Sequence, residues 1–128
     1  VKSTLFPSLE ECLALHKELI RRFGGQGGIR DPGLLESALA RPRSGYYGSL
    51  SQQAAALMQS LARNHAFTDG NKRMAFAATA IFLRMNGFRL PVAAQEGEDF
   101  LVGKVIEAKA DLEEITLFLE KLMRKAHS

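Results

Sequence analysis

The stretch His65-Ala66-Phe67-Thr68-Asp69-Gly70-Asn71-Lys72-Arg73 runs directly into Met74-Ala75-Phe76-Ala77-Ala78-Thr79-Ala80-Ile81-Phe82-Leu83. The first half is polar and turns sharply at Asp69-Gly70. The second half is apolar almost all round, which predicts a helix through the middle of a core. A loop feeding the start of such a helix presents free backbone N–H groups to whatever lies above it. The first turn of a helix favours Asp or Glu, because the macrodipole is positive there. Here it carries Lys72 and Arg73 instead. Each is unfavourable by roughly 0.3–1 kcal/mol if it stays near the axis. An anion seated between them removes the conflict, and breaches of a local rule tend to mark function. The first expectation is therefore a phosphate site with His65 and Asp69 beside it.

The rest of the chain is consistent with one core around that helix. Its 128 residues suit a single domain spanning 1–128, and 46% hydrophobic against 24% charged residues is an ordinary globular balance. A net charge of +3, with no basic tail and no dense Lys/Arg run, is compatible with an anionic ligand and is weak evidence for nucleic-acid binding. Cys12 is the only cysteine, so an internal disulfide is excluded. It falls on an apolar helical face as a small buried hydrophobe. No signal peptide precedes the first polar residues. The longest apolar run, Met74 to Leu83, ends at Arg84 and is too short to span a bilayer. A cytoplasmic location without membrane contact is expected.

Outward from the central stretch, Ser8-Leu9-Glu10-Glu11 is a capping box opening a helix that ends at Gly24-Gly25. His16 within it has no second metal-type ligand nearby, so a structural or surface role is expected. Residues 26–30 lack the Gly-Lys-Ser/Thr ending of a phosphate loop and read as a flexible connector. Asp31-Pro32 starts a second helix, which stops before Pro42. Residues 41–50 contain two Arg and two Tyr flanked by Gly. They read either as a short hairpin or flap, or as a surface loop with its rings on the core. A third helix runs over 51–64 with Ser51 as its cap, and the central helix over 71–86 closes at Gly87. Residues 90–98 are expected to be extended or irregular, and a fifth helix covers 99–109. Asp111 caps the last helix, after which residues 124–128 fray with His127 solvated. The fold class is all-α, a bundle of about six helices with at most a small β-hairpin near residues 43–50.

The polar stretch holds the parts needed for transfer from a nucleoside triphosphate. Histidine as a residue type titrates near neutrality, which suits His65 to proton abstraction. Asp69 offers a hard oxygen to Mg²⁺, which takes one or two carboxylates together with phosphate oxygens. Gly70 lets backbone approach a phosphate, Asn71 can hydrogen-bond there, and Lys72 and Arg73 supply charge, Arg73 with a forked geometry.

His65-Ala66-Phe67-Thr68-Asp69-Gly70-Asn71-Lys72-Arg73 resembles the signature of the Fic/Doc family, His-Pro-Phe-x-Asp/Glu-Gly-Asn-Gly/Lys-Arg. Ala66 replaces the common Pro. Lys72 stands where nucleotidyl-transferring members carry Gly, and Phe76 stands where they often carry a second Arg. Both departures resemble the Doc branch, as do Leu15-His16-Lys17-Glu18-Leu19-Ile20, Phe23-Gly24-Gly25, Gly28-Ile29-Arg30-Asp31, Leu35-Glu36-Ser37-Ala38-Leu39 and Phe82-Leu83-Arg84-Met85-Asn86-Gly87.

The resemblance implies a toxin of a toxin–antitoxin pair. The archetype of the Doc branch phosphorylates a threonine of elongation factor Tu and stops translation, whereas Fic relatives transfer AMP or UMP to a hydroxyl. It implies His65 as the base, Asp69 as the Mg²⁺ ligand, and Gly70, Asn71, Lys72 and Arg73 as the phosphate cradle for ATP or another nucleoside triphosphate. Arg43, Ser44, Gly45, Tyr46 and Tyr47 would form the flap that positions the target. Lys72 in place of Gly alters the space and charge of the cradle, which favours a kinase over a nucleotidyltransferase. Self-inhibited relatives carry a Ser/Thr-x-x-x-Glu-Gly/Asn segment. Glu96-Gly97 is the nearest match here, with Val92 at the Ser/Thr position. A separate antitoxin chain is therefore the expected inhibitor, and contact with nucleic acid is expected only through it. The competing reading is a catalytically degenerate regulatory module of the same fold.

Overall fold

The computed structural model describes residues 3–126, and the expectation for His127 lies outside them. Helix α1 (Leu9–Phe23) starts with the capping box: Ser8 accepts from the Glu11 N–H, and Glu11 reaches back to Ser8 N–H. Helix α2 (Pro32–Ala40) is capped by Asp31, and a 3₁₀ turn (Arg41–Arg43) follows it. Helix α3 (Leu50–Arg63) leads into the motif loop, and α4 (Asn71–Met85) leaves it. Strand β1 (Phe88–Arg89) precedes α5 (Ala94–Asp99), which continues as a π-helical segment (Phe100–Glu107). Helix α6 (Leu112–Leu122), capped by Asp111, ends at β2 (Arg124–Lys125). The all-α bundle of six helices is borne out. No helix among the described residues is long and apolar enough to cross a membrane.

The centre of the bundle is α3, not α4 as the apolar run suggested. Residues 54–62 of α3 are buried without interruption, and the helix packs against α2, α4, α6 and the π-helical segment. In α4 the buried face is Met74, Ala75, Ala78, Thr79, Phe82 and Leu83, while Lys72, Arg73, Ile81 and Arg84 are exposed. The reason is side-chain size. Ala54, Ala55, Ala56 and Ala62 let neighbouring helices approach α3 from several sides, and its polar residues find internal partners. Gln59 donates to the Ala110 carbonyl (3.1 Å), and Ser51 to Glu120 (2.8 Å). On α4 much of the apparent hydrophobicity is alanine, which is cheap to leave partly exposed.

Four boundaries differ from expectation for local reasons. Ser49, not Ser51, caps α3, accepting from the Gln52 N–H (3.1 Å). Residues 43–50 form no hairpin: Arg41 donates to the Tyr47 hydroxyl (2.7 Å), to Ser60 Oγ (3.0 Å) and to the Ala56 carbonyl, folding the segment onto α3. The stretch 90–98 is not extended throughout, since α5 begins at Ala94, and the helix expected over 99–109 is its π-wound continuation. Residues 124 and 125 do not fray. They pair antiparallel with β1, Phe88 opposite Lys125 and Arg89 opposite Arg124, and the Ala126 N–H donates to the Gly87 carbonyl.

Candidate active site

The loop between α3 and α4 is held on three sides before any ligand is considered. From within, Phe67 is buried, and the Asn71 side chain clamps its backbone. Asn71 Oδ1 accepts from Phe67 N–H (3.1 Å), and Asn71 Nδ2 donates to the Phe67 carbonyl (2.9 Å). From α1, the buried His16 stacks on Phe67 with ring centroids 3.8 Å apart, and its Nε2 lies 2.8 Å from the Asp69 carbonyl. A carbonyl only accepts, so Nε2 carries the proton. The structural role is the one His16 has.

The third support is the segment read as a connector, and that reading is corrected here. Gln26 N–H donates to Asp69 Oδ2 (3.1 Å), Thr68 N–H to the Gly28 carbonyl (3.1 Å), and Ile29 forms a β-bridge with Phe67. Arg30 donates through Nε to the His65 carbonyl (2.7 Å) and through a terminal nitrogen to the Asn64 carbonyl (3.2 Å). At Gly25, with φ +111°, an added Cβ would sit 2.8 Å from Asp69 Oδ2. Sequence reasoning missed Gly25, Gln26 and Arg30 because it read Gly25 only as a helix stop and tested residues 26–30 only against a phosphate-loop pattern. The density of glycine beside the motif was the available signal, since close backbone approach needs it.

Inside this frame the expected residues fall at one junction. His65 is exposed and has φ +51°, one of two described non-glycine residues in the left-handed region. Asp69 is exposed, with Oδ1 accepting from Gly70 N–H (2.8 Å) and Oδ2 from Gln26 N–H. Gly70, at φ +77°, is the N-cap of α4, and no side chain among the described residues caps that end. The first-turn N–H groups of Asn71, Lys72 and Arg73 are thus the orphan donors of the helix. Lys72 and Arg73 are exposed, and the Arg73 guanidinium lies over the Phe23 ring, 4.5 Å from its centroid. Both ends of the Asn71 amide bond the Phe67 backbone, which leaves one Nδ2 hydrogen and the backbone N–H of Asn71 for an anion. The side-chain contacts of Arg43, Tyr46 and Tyr47 run to Phe6, to Arg41 of the 3₁₀ turn and to one another. Tyr46 is 84% exposed.

The donor set suits a particular metal arrangement. The Gln26 N–H, then the Gly70 N–H, hold the Asp69 carboxyl below its ordinary value, with Arg73 and His16 adding smaller electrostatic contributions. It is ionised at neutral pH, and each oxygen keeps a lone pair beyond its one hydrogen bond. No cluster of three or more His, Cys, Asp or Glu among the described residues makes a dedicated cage. One carboxylate beside an anion cradle fits a magnesium ion delivered with substrate phosphates. The lowered value also couples to folding. The unfolded chain holds that proton more tightly, so ionised Asp69 stabilises the fold above the ordinary carboxylate value near 4. That contribution fades as pH falls through the lower folded value. Urea midpoints measured from neutral pH down to about pH 2 should therefore fall more steeply in the wild type than in Asp69→Asn, whose amide does not titrate. Parallel curves would contradict this.

Comparison with known proteins decides the lineage. The model of the Fic/DOC family matches residues 6–83. The chain is also 47% identical over 100 residues to Toxin Doc of Mycolicibacterium smegmatis, covering 73% of this chain and 76% of that protein.

This chain belongs to the Fic/Doc family.

A second relative, Protein kinase doc of Escherichia phage P1, is 39% identical over 87 residues, covering 65% of this chain and 69% of its own. Both relatives carry the Doc name, in agreement with the branch indicated by Lys72 and Phe76. The family match contains the whole loop, its three supports and most of α4, and it stops before the π-helical segment.

Proposed function

We propose that this Fic/Doc chain is the toxin of a toxin–antitoxin pair and moves the γ-phosphoryl group of a nucleoside triphosphate onto a protein hydroxyl. The observation that carries the reading is the uncapped, cationic start of α4 standing beside an ionised carboxylate and an exposed histidine on one braced loop. Its support from outside is the relative named as a protein kinase. In the reaction, the first-turn N–H groups and the Lys72 and Arg73 side chains bind the phosphate oxygens, with Gly70 setting the backbone approach. Asp69 would hold the magnesium ion, which neutralises phosphate charge when bound. His65 takes the proton of the acceptor hydroxyl. The acceptor oxygen then bonds the γ-phosphorus, the bond to the bridging oxygen breaks, and the nucleoside diphosphate leaves. Residues 43–47, with Tyr46 exposed, are the proposed seat for the target segment. A threonine of elongation factor Tu is the first target to test, in the cytoplasm, with translation arrest as the cellular consequence. A cognate antitoxin would restrain the activity.

The test uses the purified chain, a cell extract and ATP labelled at either phosphate. Transfer of γ-label to protein is expected. Transfer of α-label instead would make the chain a nucleotidyltransferase, and transfer of neither would leave the regulatory-module reading.

A further inference from the structure

We infer that Arg30 is a positioning residue for His65: its guanidinium holds the motif histidine in the left-handed backbone conformation that the proposed proton transfer uses. The inference rests on the functional reading for its kinetic arm and on geometry alone for its structural arm.

A non-glycine residue in the left-handed region is disfavoured by roughly 1–2 kcal/mol, and such strain persists only where the surroundings over-determine it. The surroundings of His65 are three consecutive carbonyls, each met from residues 30 and 31. Arg30 donates through a terminal nitrogen to the Asn64 carbonyl (3.2 Å) and through Nε to the His65 carbonyl (2.7 Å). Its backbone N–H and that of Asp31 both donate to the Ala66 carbonyl (2.8 and 3.0 Å). The Asn64 carbonyl belongs to the C-cap of α3 and is an orphan of the negative helix end, where a cation is favoured. A planar fork serves two neighbouring carbonyls at once, which an ammonium cannot do with the same geometry.

With those carbonyls turned toward Arg30, the chain reverses at His65 and leaves its side chain exposed. The buried Phe67, two residues on, anchors the far side of the reversal. Arg30 is itself exposed, and its side-chain hydrogen bonds go to backbone, so its removal opens no core cavity.

The experiment compares wild type, Arg30→Lys and Arg30→Ala in the full chain. Two readouts are taken: three-bond couplings and chemical shifts at His65 in labelled protein, and kcat and KM for phosphoryl transfer. In Arg30→Ala, His65 is expected to leave the left-handed region. kcat should fall about 10–100-fold, since misplacement of a reacting group by about 1 Å can cost 10². KM for the nucleotide should stay within about twofold, because binding does not use Arg30. Arg30→Lys should fall between. A folded Arg30→Ala that keeps His65 left-handed overturns the inference whatever its activity. So does a displaced His65 with unchanged kcat. If the wild type transfers no label, the proposed function has failed, and the couplings alone decide the positioning claim.

Discussion

Replacing His65 with asparagine should lower phosphoryl transfer by about 10²–10⁴-fold, the usual contribution of a positioned general base, without lowering thermal stability. Asparagine is the informative substitution because, like histidine, it tolerates the left-handed backbone better than most residues. His65 has φ +51°, so an alanine there would mix loss of the base with backbone strain. Asparagine keeps the turn and removes the proton acceptor. If the chain acts as a regulatory module, the same variant should arrest growth as the wild type does, because binding a partner does not need the imidazole. Growth on induction and label transfer in vitro therefore give two independent measurements. An active His65→Asn enzyme would remove His65 from the mechanism.

The second large effect is expected at Gly25, far from the motif in sequence. Gly25→Ala meets two obstacles. Its φ of +111° is strained for any L side chain, and the new Cβ would lie 2.8 Å from Asp69 Oδ2 and 3.3 Å from Asp69 Cγ. The carboxylate has to move, which breaks its bond to the Gln26 N–H. A stability loss of about 1–3 kcal/mol follows from the strain, and an activity loss on the order of 10²-fold from displacing the proposed metal ligand. Gly24→Ala separates the two causes. Gly24 also has a positive φ, +83°, but an added Cβ there meets nothing within 4 Å. It should lose stability and keep activity. Equal activity losses in the two variants would mean that the loop, rather than Asp69, is what Gly25 protects.

Gly25 also shows where sequence reading stops. The motif was legible because its residues are contiguous and chemically improbable together: two cations in a first turn, a carboxylate and a glycine at the turn, a histidine just before. The capping box at Ser8 and Glu11 and the cap at Asp31 were legible for the same reason, since each is a bond between residues three apart. The Gly25 requirement comes from an atom 44 positions away. No local pattern marks it beyond glycine density. Ser49 and Ser51 illustrate a nearer failure. Either serine satisfies the capping rule; Ser49 takes the cap, while Ser51 lies in the first turn and donates to Glu120, 69 residues distant.

The order of burial was hidden for a related reason. Periodicity reports how apolar a helix is, not how many neighbours reach it. α4 is the more continuously apolar stretch, yet α3 lies at the centre, because alanines admit close approach from several helices and because Gln59 and Ser51 meet partners supplied by α6 and its lead-in. The strand pair was invisible since each strand is two residues long and its partner lies beyond α5, the π-helical segment and α6.

By itself, then, the amino-acid sequence determined the helical class, most helix starts, and the identity and neighbourhood of the motif residues, because all of these depend on interactions within about one turn of the chain. Tertiary structure alone decided which helix is central, that both ends of the Asn71 amide bond the Phe67 backbone, and that residues 25–30 hold the loop through Asp69, Thr68 and the carbonyls of 64–66. Those outcomes depend on distances between segments, and nothing in the order of residues along the chain encodes such a distance until the core has closed.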